Sequence, residues 1–196
     1  MKLALRTARL DERRAVYLGL CCSDTTALHL GAPDYPESPV PSWDEFLRDF
    51  EDFYFEPDKR AQGAVLFIER DEGEEGGKGE TIGCACYACF HLQPGLAELD
   101  IWLLRREWCG QGYGTAALRR LIETLAQGQG IREFILRLAA RNARALASYR
   151  KAGFVDVPNA AHAATLARVL RPEFHAAYAD GDYGPAATAL LTLRLA

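Results

Sequence analysis

The glycine-rich sequence CGQGYGT at residues 109–115 is the most informative stretch of this chain. Apolar residues from 97 to 104 precede it and predict a strand. Apolar residues at helical spacing from 118 to 125 follow it and predict a helix that ends near Gly128 or Gly130. A glycine-rich turn between a strand and a helix leaves backbone N–H groups unpaired and lets an anion approach them closely. The stretch therefore predicts a cradle for a pyrophosphate group.

Two other phosphate-binding patterns contain similar glycines, and the spacing argues against both. A dinucleotide-binding turn needs G-x-G-x-x-G near the first strand and an acidic residue about 20 residues further on. This turn instead has G-x-G-x-G in the middle of the chain. A P-loop needs Gly-Lys-Ser/Thr, which does not follow here. On the turn alone, a structural role without any ligand stays open.

A second motif begins at Asn142, after one further predicted strand, and continues as NARALASYRKAGF to Phe154. Together the two motifs resemble the GNAT acetyltransferases, in which an R/Q-x-x-G-x-G/A turn follows the fourth strand and an N-x-x-A-x-x-x-Y-x-K-x-G-F helix follows the fifth. The resemblance is specific over residues 97–157 and is topological in the N-terminal half. Cys109 stands where the family has Arg or Gln, which removes a side-chain donor but keeps the backbone donors.

The resemblance implies an α/β (α+β) GNAT fold, with a central mixed, mostly antiparallel sheet of six to seven strands flanked by about four helices. A length of 196 residues with 49% hydrophobic content agrees with a single GNAT domain, residues 1–196, around a sizeable core. The expected strands cover residues 3–9, 64–68, 81–92, 97–104, 134–139 and 188–195.

Four helices are expected. The first begins at Asp11-Glu12, and the second follows the capping box Ser42-x-x-Glu45 as far as Phe53. The third follows the glycine-rich turn, and the fourth covers residues 142–152 up to the C-cap Gly153. Residues 23–41 are expected to form a loop, and residues 71–80 an acidic, mobile hairpin tip. Residues 159–176 are helical in composition, with a break at Pro172.

The resemblance implies acetyl-CoA as the cosubstrate and no metal. Pantetheine would lie beside the end of the fourth strand like an additional strand. The amides of the turn would hold the pyrophosphate, and arginines would meet the outer phosphates: Arg105, Arg106, Arg119 or Arg120. Asn142 matches the family's pantetheine-contacting amide and is equally suited to be a helix N-cap. The expected acetyl-CoA site is Leu103, Leu104, Cys109, Gly110, Gln111, Gly112, Tyr113, Gly114, Thr115 and Asn142.

Acetyl transfer to an amine requires an uncharged nitrogen, and an amine with a pKa of about 10 is mostly protonated at pH 7. The departing CoA thiolate in turn requires a proton. Tyr149 matches the family's tyrosine acid, which is placed to protonate that sulfur. The alternative for Tyr149 is a structural aromatic residue with a satisfied hydroxyl.

The base is expected on the fourth strand, where Glu98, Asp100 and Trp102 share one face by strand periodicity. Asp100 precedes Gly110 by the spacing at which some aminoglycoside N-acetyltransferases carry a catalytic Asp, and Glu98 is the second candidate. Both carboxylates could instead cover a solvated face. Arg137 departs from those enzymes, which have an acidic residue there, and a cation is a poor neighbour for a polycationic drug.

Other segments offer further places for an amine. The stretch Asp182-Tyr183-Gly184-Pro185-Ala186 resembles the Asp-Gly-Pro turn of the same aminoglycoside enzymes. Acidic side chains at Asp24, Asp34 and Glu37, and in the segment 71–80, would also attract a cation. The residues alone do not rank them.

Composition and cysteine spacing argue against several classes of function. The formal net charge is −4 and the basic residues are dispersed, so neither nucleic acid nor a membrane is expected as a partner. Cys86-x-x-Cys89 has only His91 nearby, whereas a zinc site would need a second ligand pair. Charged residues follow Met1 too early for a signal peptide, so a cytoplasmic protein is expected.

The expected acceptor is the amine of a small molecule, of an amino sugar or aminoglycoside-like compound, or of a peptide N-terminus. Two other functions stay open. The residue at Cys109 favours a catalytically degenerate module that binds acyl-CoA and regulates without turnover, whereas Tyr149 and Asp100 argue against it. An interaction domain that uses the turn structurally would not be stabilised by CoA. Members of the family often pair, so the resemblance is compatible with a homodimer.

Overall fold

A seven-stranded sheet organises the computed structural model of this chain, which describes residues 2–29, 40–70, 79–179, 184 and 187–196. The strands are β1 (Leu3–Thr7), β2 (Gly63–Arg70), β3 (Glu80–Ala88), β4 (Leu96–Leu103), β5 (Glu133–Ala139), β6 (Val155–Asp156) and β7 (Thr188–Arg194). Their order across the sheet is β1-β2-β3-β4-β5-β7-β6, and every neighbouring pair is antiparallel except β4 and β5. The mixed, mostly antiparallel sheet that the resemblance implied is confirmed.

Helices pack on both faces of this sheet. They are α1 (Arg13–Cys21), α2 (Thr26–His29), α3 (Trp43–Asp49), α4 (Tyr113–Gln129), α5 (Ala143–Ala152), α6 (Asn159–Val169) and α7 (His175–Tyr178). Short 3-10 helices lie at Leu10–Glu12, Asp52–Phe55, Pro57–Lys59, Arg106–Trp108 and Pro172–Phe174. α1, α3, α4 and α5 lie where the four helices were expected.

Several helix ends lie where the sequence predicts them, because local backbone chemistry sets them. The Ser42 hydroxyl accepts a hydrogen bond from the Glu45 N–H at 3.3 Å, and the Glu45 carboxylate accepts one from the Ser42 N–H at 2.8 Å. This capping box begins α3. Gly130 and Gly153 end α4 and α5 with φ angles of 67° and 111°, a left-handed region that favours glycine.

The prediction that α3 continues to Phe53 is wrong, because a distant side chain ends the helix. The Arg13 guanidinium donates to the carbonyl of Leu47 at 2.8 Å and to the carbonyl of Phe50. Those carbonyls belong to the last turn of α3, so Arg13 satisfies them as a helix C-cap would. The chain then forms the 3-10 helix at Asp52–Phe55.

The prediction that the third strand reaches Leu92 is also wrong. β3 ends at Ala88 because the next two N–H groups, of Cys89 and Phe90, both donate to the carbonyl of Gln62. In addition, α2 occupies part of the segment expected to be a loop, and β6 lies where no strand was expected.

The remaining segment predictions agree with the structure where it describes them. α6 ends before Pro172, which opens a 3-10 helix, so the helical stretch and its break are confirmed. Arg70 pairs with Glu80, which confirms a hairpin between β2 and β3. The predicted mobile tip at residues 71–78 lies outside the described residues.

The two faces of β4 face different helices. Leu99, Ile101 and Leu103 lie in the core cluster that includes the apolar residues of α4 and α5, and we call that side the turn face. Trp102 lies in the opposite cluster with Val16 of α1 and residues of α3, and we call that side the carboxylate face. The predicted alternation of β4 is therefore confirmed.

The sheet opens between β4 and β5. These strands pair only from Leu96 to Glu98 on β4, opposite Glu133 to Ile135 on β5. Beyond that point β4 stays paired with β3 as far as Leu103, and β5 stays paired with β7 as far as Ala139. The two strands therefore diverge toward the C-terminal end of β4 and leave a gap that joins the turn face to the carboxylate face.

Candidate active site

The glycine-rich turn places a row of backbone N–H groups at the N-terminus of α4. Gly110 and Gly112 have φ angles of 81° and 90°, and no atom lies within 4 Å of where a Cβ on either would be. Within the described residues, no acceptor takes a hydrogen bond from the backbone N–H groups of residues 110–115. The first helical bond is made by Ala116, whose N–H donates to the Gly112 carbonyl at 3.0 Å. Open space above unpaired amides fits a diphosphate.

Three of the four arginines predicted to meet the outer phosphates have protein partners. Arg106 donates through Nε to the Asp24 carbonyl at 2.8 Å, and the Asp24 carboxylate accepts from the Arg106 backbone N–H. Arg105 pairs with Glu107, and Arg119 donates to a backbone carbonyl of α5. Asp24 therefore caps a 3-10 helix, which leaves it poorly suited to attract an amine.

Contacts between α4 and α5 connect the two sequence motifs. The Thr115 and Ser148 hydroxyls are 2.9 Å apart. Tyr149 follows in the buried cluster of the turn face, with 5% of its surface exposed. The Asn142 side chain accepts a hydrogen bond from the Ala145 N–H at 3.1 Å, so it is the N-cap of α5. Cys109 directs its thiol to the Arg105 carbonyl and leaves the turn amides unobstructed.

On the carboxylate face, Asp100 is exposed although it lies in the middle of a central strand. The two side chains that flank it on the same face are covered, since Trp102 is 1% exposed and the Glu98 side chain is 17% exposed. The Ile101 N–H donates to one oxygen of Asp100 at 2.7 Å. Asp100 is therefore accessible to solvent on this face, beside the gap between β4 and β5.

Glu98 is engaged by two side chains that sequence reasoning did not connect with it. Its carboxylate accepts two hydrogen bonds from Arg137, at 2.6 and 2.7 Å, and its Oε2 lies 2.7 Å from Nε2 of the buried His91. Burial by itself raises the pKa of Glu98, but the Arg137 charge and these hydrogen bonds outweigh it and hold the pKa at about 2. A carboxylate with that pKa is a poor proton acceptor at neutral pH.

The contact between Glu98 and Arg137 could have been found from strand register. Glu98 is aligned with Ile135 in the parallel pair of β4 and β5, and Arg137 follows two residues later on the same face. The sequence shows both residues but not how β4 and β5 are aligned with each other. Arg137 is therefore not an isolated cation on this face, because it pairs with Glu98.

Some predicted site residues lie outside the described residues, and others make contacts that differ from the predicted ones. Of the turn at residues 182–186, only Gly184 is described, and Asp34 and Glu37 lie outside the described residues. Cys86 is buried and aligned with Asp100, and His91 bonds Glu98. The described residues contain no cluster of three or more His, Cys, Asp or Glu side chains suited to a metal ion.

The comparisons with known proteins agree with this geometry. The family model of the acetyltransferase (GNAT) domain matches residues 2–155. Aminoglycoside acetyltransferase AAC(6')-Ib, solved with coenzyme A and kanamycin, shares 16% identity and a TM-score of 0.63, covering 98% of this chain and 95% of that chain. Spermidine N-acetyltransferase from Vibrio cholerae, solved with CoA and spermine, shares 18% identity and a TM-score of 0.63 with the same coverage.

A domain from Methanocaldococcus jannaschii shares 12% identity and a TM-score of 0.64, covering 99% of both chains. These likenesses show a shared fold over nearly the whole chain. No curated protein sequence matches this chain significantly. Among the described helices, none is long and apolar enough to cross a membrane.

Proposed function

This chain belongs to the GNAT acetyltransferase family, and we propose that it transfers an acetyl group from acetyl-CoA to the amine of a small molecule, an amino sugar or aminoglycoside-like compound, or a peptide N-terminus. One observation carries the proposal. Unpaired turn amides lie on one face of the sheet and an exposed carboxylate, Asp100, lies on the other, and the gap between β4 and β5 joins them. Two substrates that enter from opposite faces would meet in that gap.

Backbone groups of this chain would hold the cosubstrate, which supplies the acetyl group as an activated thioester. The amides of residues 110–115 would bind its pyrophosphate. Leu103 is aligned with Gly83, while the next N–H, of Leu104, donates to the Ile82 carbonyl at 2.9 Å. Alternation along an antiparallel strand then turns the polar groups of Leu103 away from β3 and toward the gap. The Thr25 hydroxyl donates to the Leu103 carbonyl, in agreement with that direction.

Asp100 and Tyr149 would divide the proton transfers between them. The amine nitrogen forms a bond to the acetyl carbon as the carbon–sulfur bond breaks, so one proton leaves nitrogen and one reaches sulfur. Asp100 lies on the carboxylate face, where the amine would approach, and would accept the first proton. Tyr149 is buried on the turn face, where the thiol would depart, and would donate the second.

Glu98 has a different role in this proposal. Its low pKa and its bonds to Arg137 and His91 make it a positioning residue that connects β4 to β5 beside Asp100. The base is then Asp100 alone. The Cys109 departure does not weaken cosubstrate binding by the backbone, because the donors of the turn are N–H groups that any residue at that position leaves in place.

The experiment measures thiol release from acetyl-CoA with small primary amines, an amino sugar and a peptide with a free N-terminus. Asp100→Asn keeps the shape and removes the charge, so we expect turnover to fall on the order of 10²-fold at neutral pH. Turnover should partly recover at higher pH, where more of the amine is already neutral. The exposed Asp58 gives a matched control, and Asp58→Asn should keep wild-type turnover.

Other outcomes separate the alternatives. If Asp100 only anchors a cationic amine, the Asp100→Asn variant will show a raised KM with a smaller change in kcat. If acetyl-CoA raises the melting temperature but no amine yields thiol, the chain is a binding module and the proposed transfer is wrong.

A further inference from the structure

A cavity of about 860 Å³ lies at the end of the sheet opposite the glycine-rich turn. Its described lining comes from the segment before β2, the connection between β3 and β4, the C-terminal end of α4 and the 3-10 helix at Pro172–Phe174. α4 has 17 residues, so at 1.5 Å per residue its two ends are about 25 Å apart. The cavity is therefore separate from the proposed acetyl-CoA site.

Two arginines line this cavity, and they differ in their partners. Arg171 pairs with Glu173 at 2.9 Å and donates to the Phe90 carbonyl at 2.8 Å, so its charge is compensated. Arg60 is exposed, and within the described ranges no residue forms a hydrogen bond or an ion pair with its guanidinium. Among the described lining residues there is no Asp or Glu. The Arg60 charge is therefore available to an anion.

The Tyr87 hydroxyl holds Arg60 at the edge of the cavity. It donates a hydrogen bond to the Arg60 carbonyl at 2.9 Å and accepts one at 2.7 Å from Gln129, which also lines the cavity. Burial raises the pKa of Tyr87, whereas the Gln129 hydrogen bond and the Arg60 charge oppose that rise. The charge of Arg60 therefore reaches a group that is bonded to the cavity lining. Glu56 and Asp58 precede Arg60 without pairing with it.

Other parts of the lining are apolar and uncharged. The rings of Phe90 and Phe174 meet edge to face, with centroids 5.5 Å apart and an interplanar angle of 81°. Leu92 and Ile131 are buried. Burial raises the pKa of the Cys89 thiol to about 12, so the thiol stays protonated and is a poor nucleophile. These side chains favour an apolar group that binds without forming a covalent bond.

From this combination we infer that the cavity is a second binding site, for a small organic carboxylate with an apolar body. A carboxylate can accept two parallel hydrogen bonds from the planar guanidinium of Arg60, and the Gln62 side chain offers a further donor. The apolar body packs against Phe90 and Phe174. The cavity volume lies within the range of small-molecule sites, about 300–1,000 Å³. This inference does not depend on the proposed acetyl transfer.

The test measures by calorimetry how the full chain binds 2-naphthylacetate, its neutral analogue 2-naphthylacetamide, and acetate. None of the three is an amine, so none can serve as an acetyl acceptor. We expect the naphthylacetate to bind about tenfold more tightly than the amide, because a hydrogen bond to a charged group is the stronger one. Acetate lacks the apolar body and should bind at least about tenfold more weakly than the naphthylacetate. Equal affinity for acid and amide, or no binding of the acid, would overturn the inference.

Substitutions locate the bound probe within the chain. Arg60→Gln removes an exposed charge, so the affinity for 2-naphthylacetate should fall about tenfold while the affinity for the amide stays unchanged. Phe174→Leu removes a ring and should weaken both probes about threefold. Arg48→Gln is the matched control, because the Arg48 side chain is 74% exposed on α3 and does not line the cavity. Equal losses in the Arg60 and Arg48 variants would contradict the assignment.

A competition experiment separates this site from the turn amides, which also suit an anion. Binding of 2-naphthylacetate is measured again with the protein saturated with CoA. We expect the same affinity, since the two ends of α4 are about 25 Å apart. Loss of probe binding on addition of CoA, with no effect of Arg60→Gln, would place the probe at the turn and overturn the inference.

Discussion

The turn face and the carboxylate face of this sheet are built in different ways. The turn face depends on residues 109–115 and on α5, and its donors are backbone N–H groups of one continuous segment. The carboxylate face draws Phe50, Glu98 and Tyr178 from separate parts of the chain, and its chemistry belongs to their side chains. Changes on one face should therefore leave the other face working. Substitutions on each face would test that independence.

The largest expected effect on ligand binding is on the turn face, from Gly112→Asp. The substitution puts a negative charge where we propose that the pyrophosphate binds, at a φ of 90° that also strains a non-glycine residue by about 1–2 kcal/mol. We expect the stabilisation by CoA, about 2.7 kcal/mol at 100 times the wild-type Kd, to disappear in a protein that still folds. The measurement is the melting temperature with and without CoA.

Gly128→Asp is the matched control for that variant. Gly128 is exposed near the other end of α4, and no atom lies within 4 Å of the position of a Cβ there. The added charge is the same, so CoA should stabilise this variant as it stabilises the wild type. A folded Gly112→Asp protein that binds CoA normally would sink the pyrophosphate assignment.

The next effect is on the carboxylate face, from Glu98→Gln. It removes a carboxylate that pairs with the Arg137 guanidinium, whose side chain is 10% exposed, and we expect this to cost about 3–5 kcal/mol of unfolding free energy. The binding of CoA should not change, since the turn amides are untouched. Urea unfolding with and without CoA measures both the stability of the variant and its binding of CoA. Glu133→Gln removes a partner from the half-exposed Arg168 and should cost about 1 kcal/mol or less.

The pH dependence of the wild-type unfolding free energy is a second test of the pair formed by Glu98 and Arg137. The folded pKa of Glu98 is held at about 2, below its ordinary 4.5, so its stabilisation is present above about pH 4.5 and is lost as the pH falls toward 2. The loss is on the order of 3 kcal/mol. Between those pH values the Glu98→Gln protein should lose less stability than the wild type. Parallel curves for the two proteins would contradict the charge pairing.

A smaller effect is expected from Tyr149→Phe, which removes a hydroxyl needed mainly as sulfur gains charge. We expect kcat to fall about 10²-fold, while the binding of acetyl-CoA stays within a factor of two or so. Tyr87→Phe is the control, because Tyr87 is also buried and donates to the Arg60 carbonyl at 2.9 Å in a structural role. An unchanged kcat in the Tyr149 variant, with chemistry rate-limiting, would make Tyr149 a structural residue.

The smallest effect separates the two roles of Asn142. Aspartate is as good an N-cap as asparagine but lacks the amide N–H groups, so Asn142→Asp should keep the stability of α5. We expect its affinity for CoA to fall about tenfold, the effect of one lost hydrogen bond. Asn142→Ala should lose both the affinity and about 1 kcal/mol of stability. An Asp variant with unchanged affinity would leave Asn142 as a cap only.

Features that depend on neighbouring residues could be predicted from the sequence. The turn at Gly110 to Gly112, the capping box at Ser42 and the C-cap at Gly153 lie where they were predicted, because each is a backbone conformation that local chemistry selects. The alternation of Leu99 and Trp102 followed from strand periodicity alone. The roles of Tyr149 and Asp100 stay predictions.

Which of the two carboxylates on β4 is accessible depends on contacts between distant segments. Glu98 and Asp100 are equivalent by residue type and periodicity, but Arg137 of β5 and His91 meet one of them and leave the other exposed. The exposure and pKa of a side chain depend on charges and burial contributed by distant segments. The end of α3 at Asp49 has the same origin, because Arg13 caps it from another helix. Periodicity within one segment carries no information about such partners.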